Sequence, residues 1–243
     1  MAVLEIEDLS FSYRNSPPAL QGISLRTDET VGLIGANGAG KSTLLKILVG
    51  LEQGYAGSVR VHGQEAQGKG LAEIRERTGY VFQDSDSQLF LRTVREDVAF
   101  GPRNQGRPDW DRVTADALER TGLGGLENRN VYQLSGGEKK LAAIAGVLAM
   151  GAETLLLDEP SAALDPSNRE RLIEILNALP GMKVIASHDL DFVYDTCKRV
   201  VLLSHGHIAA DGAAEAILRD RALLEANGLR LPLSFRFGGT QDE

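Results

Sequence analysis

The sequence predicts an α/β fold, on three observations. Apolar residues come in short runs of strand length, separated by turn signals and by longer stretches with helical spacing. Thr154-Leu155-Leu156-Leu157 shows no polar alternation, the pattern of a strand covered on both faces in the middle of a parallel sheet. Val31-Gly32-Leu33-Ile34 runs straight into a glycine-rich loop, and residues 44–49 beyond it are spaced as a buried helix.

The remaining elements follow in chain order. The opening stretch, through about Leu25, alternates enough to supply antiparallel strands, with Pro17-Pro18 at a turn. Val184-Ile185-Ala186 and Val200-Val201-Leu202-Leu203 are two further core strands, and helices are predicted over 168–179 and 191–197. Between about Asp84 and Met150 strand-like runs disappear, while 111–121 and 139–150 carry helical spacing. This texture predicts a mostly helical lobe, 85–150, inserted into a core of 1–84 and 151–233. Residues 234–243 are polar and read as a flexible tail. His205-Gly206-His207, ahead of Ile208, reads as a hairpin turn rather than as a metal-binding pair. Lys139 and Lys140 read as solvated charges, and Cys197 as a small buried side chain.

Composition narrows the class. The 243 residues carry 26 Lys+Arg against 34 Asp+Glu, a formal charge of −8, which argues against a broad nucleic-acid-binding surface. A single cysteine excludes an internal disulfide and a multi-cysteine metal cage, and fits a reducing compartment. The first eight residues lack the basic-then-apolar order of a signal peptide, and no apolar stretch approaches the ~18 residues of a membrane span. The chain is therefore expected to be neither secreted nor membrane-spanning.

The chemistry begins at the glycine-rich loop. Gly35-Ala36-Asn37-Gly38-Ala39-Gly40-Lys41-Ser42 fits G-x-x-x-x-G-K-[ST] between a predicted strand and a predicted helix, the context a phosphate loop requires. Glycines free the backbone to aim successive N–H groups at phosphate oxygens, and the following helix adds its positive end. Lys41 is expected to reach the β and γ phosphates of a nucleoside triphosphate and Ser42 to ligate Mg²⁺. The fold class is thus a P-loop NTPase core. Asp158-Glu159 ends an apolar strand, where side chains of a parallel sheet face the ligand crevice. Asp158 suits Mg²⁺, through water, and Glu159 suits the attacking water.

Leu134-Ser135-Gly136-Gly137-Glu138 opens a helix with a hydroxyl, free N–H groups and no obstructing side chains, a second phosphate-binding helix end. One nucleotide site does not need two such ends, so a dimer is expected in which each chain's Ser135 helix covers the nucleotide held by the other. An ordinary serine N-cap is the alternative. With these motifs in this order the sequence resembles the ATPase subunit of an ATP-binding-cassette (ABC) transporter, over essentially the whole chain.

That resemblance implies a core with an antiparallel β subdomain and a helical lobe. It implies ATP and Mg²⁺ as ligands, with Tyr13, Gly35, Asn37, Gly38, Ala39, Gly40, Lys41, Ser42, Thr43, Ser135, Gly136, Gly137 and Asp165 on the nucleotide. It implies Glu159, His188 and Gln83 in catalysis, and Ser42, Gln83 and Asp158 toward the metal. Tyr13 matches the ring that stacks on adenine, Gln83 the glutamine linking core and lobe, 161–165 the loop at the dimer interface, and His188 the switch histidine. The stretches 81–90 and 94–102 resemble the energy-coupling-factor (ECF) importers, and 142–150 with 223–229 resemble their cobalt/nickel branch. The resemblance implies a homodimer on the cytoplasmic face of the cell membrane, held by a membrane coupling protein beside a substrate-binding membrane protein, with no nucleic acid as partner. A vitamin-type ECF system and a soluble non-transport ABC ATPase are the alternatives. Two departures stand out: Leu141 where many relatives carry arginine, and a 26–30 turn that is short and lacks its glycine.

Overall fold

The computed structural model describes residues 3–237. In chain order the elements are β1 (Leu4–Ser12), β2 (Pro18–Thr27), β3 (Val31–Ile34), α1 (Lys41–Leu48), β4 (Ala56–Val61), β5 (Gln64–Glu65) and α2 (Gly70–Arg77). Then come β6 (Thr78–Val81), α3 (Val94–Asn104), α4 (Trp110–Arg120), α5 (Gly136–Met150), β7 (Thr154–Asp158) and α6 (Pro166–Ala178). The chain closes with β8 (Met182–Ala186), α7 (Leu190–Thr196), β9 (Arg199–Ser204), β10 (His207–Ala213), α8 (Ala214–Arg219), α9 (Arg221–Ala226) and α10 (Leu233–Phe237). Among the described residues no helix is long and apolar enough to cross a membrane. Contacts gather the chain into two compact units, one made of residues up to Arg75 with those from Met182 onward, the other Glu76–Gly181.

The first unit holds an antiparallel sheet in the order β2-β1-β4-β5. Leu4 and Ile6 of β1 are buried and so are Leu9 and Phe11, so the inward phase slips by one residue between the two pairs. A β-bulge absorbs the slip: the register shifts against both neighbours there, and Asp8 takes φ 49°. The same unit holds the parallel strands β9, β3 and β8, with β10 antiparallel on β9. Every residue of β3 and β8 is buried, Lys183 of β8 included, as strands covered on both faces require. His205 and Gly206, both at positive φ, make the tight β9–β10 turn that the sequence indicated.

The expectation of a flexible tail from residue 234 needs correction over 234–237, which belong to α10. The N–H groups of Leu233 and Ser234 donate to the Asp191 carboxylate at 2.8 and 3.0 Å. Phe235 packs edge-on against Tyr194 at 4.8 Å, and the Arg219 guanidinium lies 4.3 Å over its ring. The remainder of that tail, 238–243, lies outside the described residues.

The second unit pairs β6 with β7 in parallel, Val81 opposite Leu157, and packs α3, α4 and α5 together. Capping boxes start α3 (Thr93 with Glu96) and α5 (Ser135 with Glu138). Between Val81 and Thr154 there is no strand, as the helical spacing of that stretch predicts.

Candidate active site

In the first unit the phosphate loop leaves β3, and the register Leu33 opposite Ala186 places the segment after β8 beside it. Ser187 N–H donates to Leu33 O at 3.2 Å, so the loop and exposed His188 emerge from neighbouring strand ends. Gly40 begins α1 at φ 108°, and a Cβ there would come within 2.7 Å of both Ala19 O and a Leu20 methyl. Only glycine satisfies both demands. Lys41 is 7% exposed and its ammonium donates to Gly35 O at 2.7 Å, folded back over its own loop. Tyr13 follows β1, its ring edge-on to Phe11 at 5.0 Å and its hydroxyl 3.2 Å from Thr43 Oγ1. The ring is thereby fixed beside the first turn of α1 with part of its surface open. Asp189 caps α7, accepting from Phe192 N–H at 2.9 Å, which fixes the chain direction just past His188.

In the second unit, pairing of β6 with β7 likewise sends Gln83 and Glu159 off neighbouring strand ends. Asp158 and Glu159 are 2% and 5% exposed, unusually deep for carboxylates. Tyr80 Oη donates to Asp158 Oδ2 at 3.4 Å. Glu159 stands at φ 48°, a left-handed backbone that side-chain-bearing residues seldom adopt, so the turn that presents this carboxylate is strained. Gln88 continues β6 artificially, its Oε1 accepting from Phe82 N–H at 2.9 Å and its Nε2 donating to Tyr80 O at 3.3 Å. Gln83 itself is exposed.

Ser135 is exposed and caps α5: its Oγ accepts from Glu138 N–H at 3.2 Å, and Glu138 Oε2 accepts from Ser135 N–H at 2.7 Å. The serine N-cap weighed from sequence is therefore real, and the helix end it organises is the surface a phosphate could approach. A Cβ on Gly137 would press within 3.2 Å of Ala163 O, so this glycine also makes room for the 161–165 loop. Asp165 caps α6, accepting from Asn168 N–H at 2.9 Å, and that bond holds its carboxyl below the usual carboxylate range.

One sequence expectation fails here. Lys140 is not solvated: it is 3% exposed, and its ammonium donates to Phe82 O at 2.9 Å and Gln83 O at 2.7 Å. Burial lowers its pKa, opposed by Asp158, Asp84 and Glu159. Lys139 is mostly covered as well and pairs with Asp86. The signal was available, because Lys140 shares the helical face of Ile144 and Val147, which is buried. Leu141 is 2% exposed, a core side chain. The short 26–30 turn closes on itself, Thr27 Oγ1 accepting from Glu29 N–H at 3.1 Å.

A strand, a glycine-rich loop and a helix carrying Lys41 and Ser42 at its start define a nucleotide phosphate site of the P-loop class. The sequence matches the ABC transporter family over residues 21–162. A putative ABC transporter ATP-binding protein of Gloeobacter violaceus is 48% identical over 237 residues, 95% of this chain and 97% of its own length. The energy-coupling factor transporter ATP-binding protein EcfA of Methanothermobacter thermautotrophicus is 45% identical over 240 residues, 95% of this chain and 77% of its own. Among solved structures, cbiO1 from Clostridium perfringens, part of the ABC transporter complex cbiONQ, superposes with TM-score 0.80 at 32% identity, covering 98% of this chain and 96% of that one. The ATP-binding cassette MJ0796, in a dimeric post-hydrolysis state bound to ADP and Pi, gives TM-score 0.80 at 25% identity over 87% of this chain and 98% of that one. The chain belongs to the ABC transporter family, as one of its ATPase domains, with ECF-type ATP-binding proteins among its relatives.

Proposed function

We propose that this chain is the ATP-hydrolysing subunit of an ECF-type importer for cobalt or nickel ions, working as a homodimer on the cytoplasmic face of the membrane. The observation that carries the reading is the paired emergence of functional groups from neighbouring strand ends: the phosphate loop with His188, and Gln83 with Glu159. The EcfA relative and the cbiO1 neighbour support the importer class.

In this reading Lys41 and the loop N–H groups hold the β and γ phosphates, and Tyr13 stacks on the base. Ser135, Gly136, Gly137 and Asp165 of one protomer complete the site of the other. Glu159 orients water for in-line attack on the γ-phosphorus and takes its proton as the bond to the β-phosphate oxygen breaks and ADP departs. His188 and Gln83 stabilise the charge on the phosphoryl oxygens. Ser42, Gln83 and Asp158 are hard oxygen donors that fit Mg²⁺, which when bound neutralises phosphate charge. Residues 85–150 act as the lobe that passes closure to the coupling protein. Phe90 and Phe100, 57% and 40% exposed and edge-on at 4.9 Å, present an apolar surface suited to a membrane partner's helix. Cargo meets the membrane subunits and not this chain.

Copurification of membrane partners, followed by ATP-dependent uptake of candidate metals and vitamins, tests the assignment; vitamin uptake without a metal response removes cobalt and nickel. The variant Glu159→Gln should bind ATP and trap the dimer while hydrolysis falls by about 10²-fold or more. Near wild-type turnover would take Glu159 out of its role.

A further inference from the structure

Lys140 is a deeply buried cation to which none of the roles above assigns a use. It projects from the second turn of α5, the helix that Ser135 begins, and its ammonium donates to the main chain of one loop, at Phe82 O (2.9 Å) and Gln83 O (2.7 Å). An ammonium is costly to take out of water and persists in a protein interior where acceptors and opposite charge offset that cost. Two loop carbonyls could be satisfied by water, so stability alone does not call for a cation there. Four further contacts bind the same loop. Lys139 pairs with Asp86, the Asp84 carboxylate accepts from Asp86 N–H at 3.1 Å and Ser87 Oγ at 2.7 Å, and Gln88 accepts from Phe82 N–H at 2.9 Å. Consecutive lysines of one helix therefore grip one loop at two points.

We propose that Lys140 is a positioning residue for hydrolysis: it fixes the main chain at Gln83 to the helix begun by Ser135, so that the two groups move as one body. The inference rests on the reading of Gln83 as a group acting on the γ-phosphate. It also gives α5 a function in the chain's own site as well as toward its partner's nucleotide. Engagement of Ser135 would then be felt at Gln83 through the Lys140 ammonium, which alone of the two lysines bonds the Gln83 main chain, while Lys139 holds the same loop at Asp86.

The test is a double-mutant cycle on the full chain, with MgATP hydrolysis, affinity for a fluorescent ATP analogue and thermal stability read for each variant. Lys140→Met keeps length and apolar stem and removes the donors; Lys140→Gln keeps an uncharged NH₂ donor group and serves if the methionine variant does not fold. Lys140→Met is expected to lower kcat about tenfold or more while KM and analogue affinity stay within about twofold, with Lys140→Gln in between. In a Gln83→Ala background, Lys140→Met should change kcat by less than about twofold, because the group it positions is gone. Wild-type kcat in Lys140→Met overturns the proposal, as does a loss that multiplies with that of Gln83→Ala. If Gln83→Ala alone leaves kcat unchanged, the assigned role of Gln83 fails and this inference with it.

Discussion

Substitution of Ser135 separates two uses of one hydroxyl. Its Oγ accepts from Glu138 N–H at 3.2 Å in an exposed capping box, and the reciprocal bond from Ser135 N–H to Glu138 Oε2 does not involve the hydroxyl. Ser135→Ala therefore removes half of the box, at about 1 kcal/mol, which for a chain of this size lowers Tm by about 2–4 °C. Ser135→Asp keeps an acceptor in place and puts a negative charge at the positive end of the 15-residue α5. That gain of ~0.3–1 kcal/mol is opposed by a like charge on Glu138 of similar size, so stability should stay close to wild type. A phosphate approaching the same helix end would meet a repulsion of about 4 kcal/mol for unit charges 4 Å apart near a protein surface, or about 10³-fold. Phosphate release under saturating MgATP should then fall about 10²–10³-fold in Ser135→Asp, with Tm within about 2 °C of wild type by scanning fluorimetry. A hydrolysing Ser135→Asp, or a loss that tracks Tm across both variants, refutes the second use and leaves Ser135 as a cap.

Other outcomes follow from the same geometry. Gly40→Ala puts a Cβ 2.7 Å from Ala19 O at φ 108°, so it should cost about 2 kcal/mol or more in a urea melt and abolish ATP-analogue binding. Asp97 accepts from the N–H groups of Phe90 and Leu91 at 2.8 and 2.7 Å, and burial raises its pKa. Asp97→Ala and Phe90→Ala should therefore spare ATP hydrolysis by the isolated chain and reduce ATP-driven uptake by the assembled importer. Burial pushes the Cys197 thiol from an ordinary 9.0 up to about 11. The folded chain keeps a proton that the unfolded chain has released, so this contribution is complete below pH 9 and is lost as pH rises through 11. Its size is about 2–3 kcal/mol at most, and Tm measured from pH 8 to 11 should fall less steeply in Cys197→Ala.

Much of this was readable in the chain because the signals are local. The phosphate loop, the strand ending in Asp158-Glu159 and the serine that starts α5 each declare themselves within a few residues. What local patterns conceal is pairing: nothing near Val31 names β8 as its neighbour, although that choice brings His188 to the phosphate loop. β4 and β5 leave little trace in the sequence because Ala56–Val61 buries only two of its residues and Gln64–Glu65 is too short to show a period. α2 buries Ile74 alone, leaving almost no stripe to detect. α3 hides a Gly-Pro step inside it, although its capping box, Thr93 to Glu96, is a legible start. At Lys140 helical position outweighs residue type: a lysine suggests a solvated charge, but its place on the buried face of α5 puts it inside.

The anchoring of α10 has a practical side. Asp191, three residues beyond His188, accepts both N–H groups that open α10, while Phe235 of α10 rests on Tyr194 of α7. A fluorophore, purification tag or fused domain attached beyond residue 237 is thus tethered to the helix that follows His188. Such an attachment works as a reporter of that helix, and a bulky one loads it; cleavable or amino-terminal tags leave it unburdened.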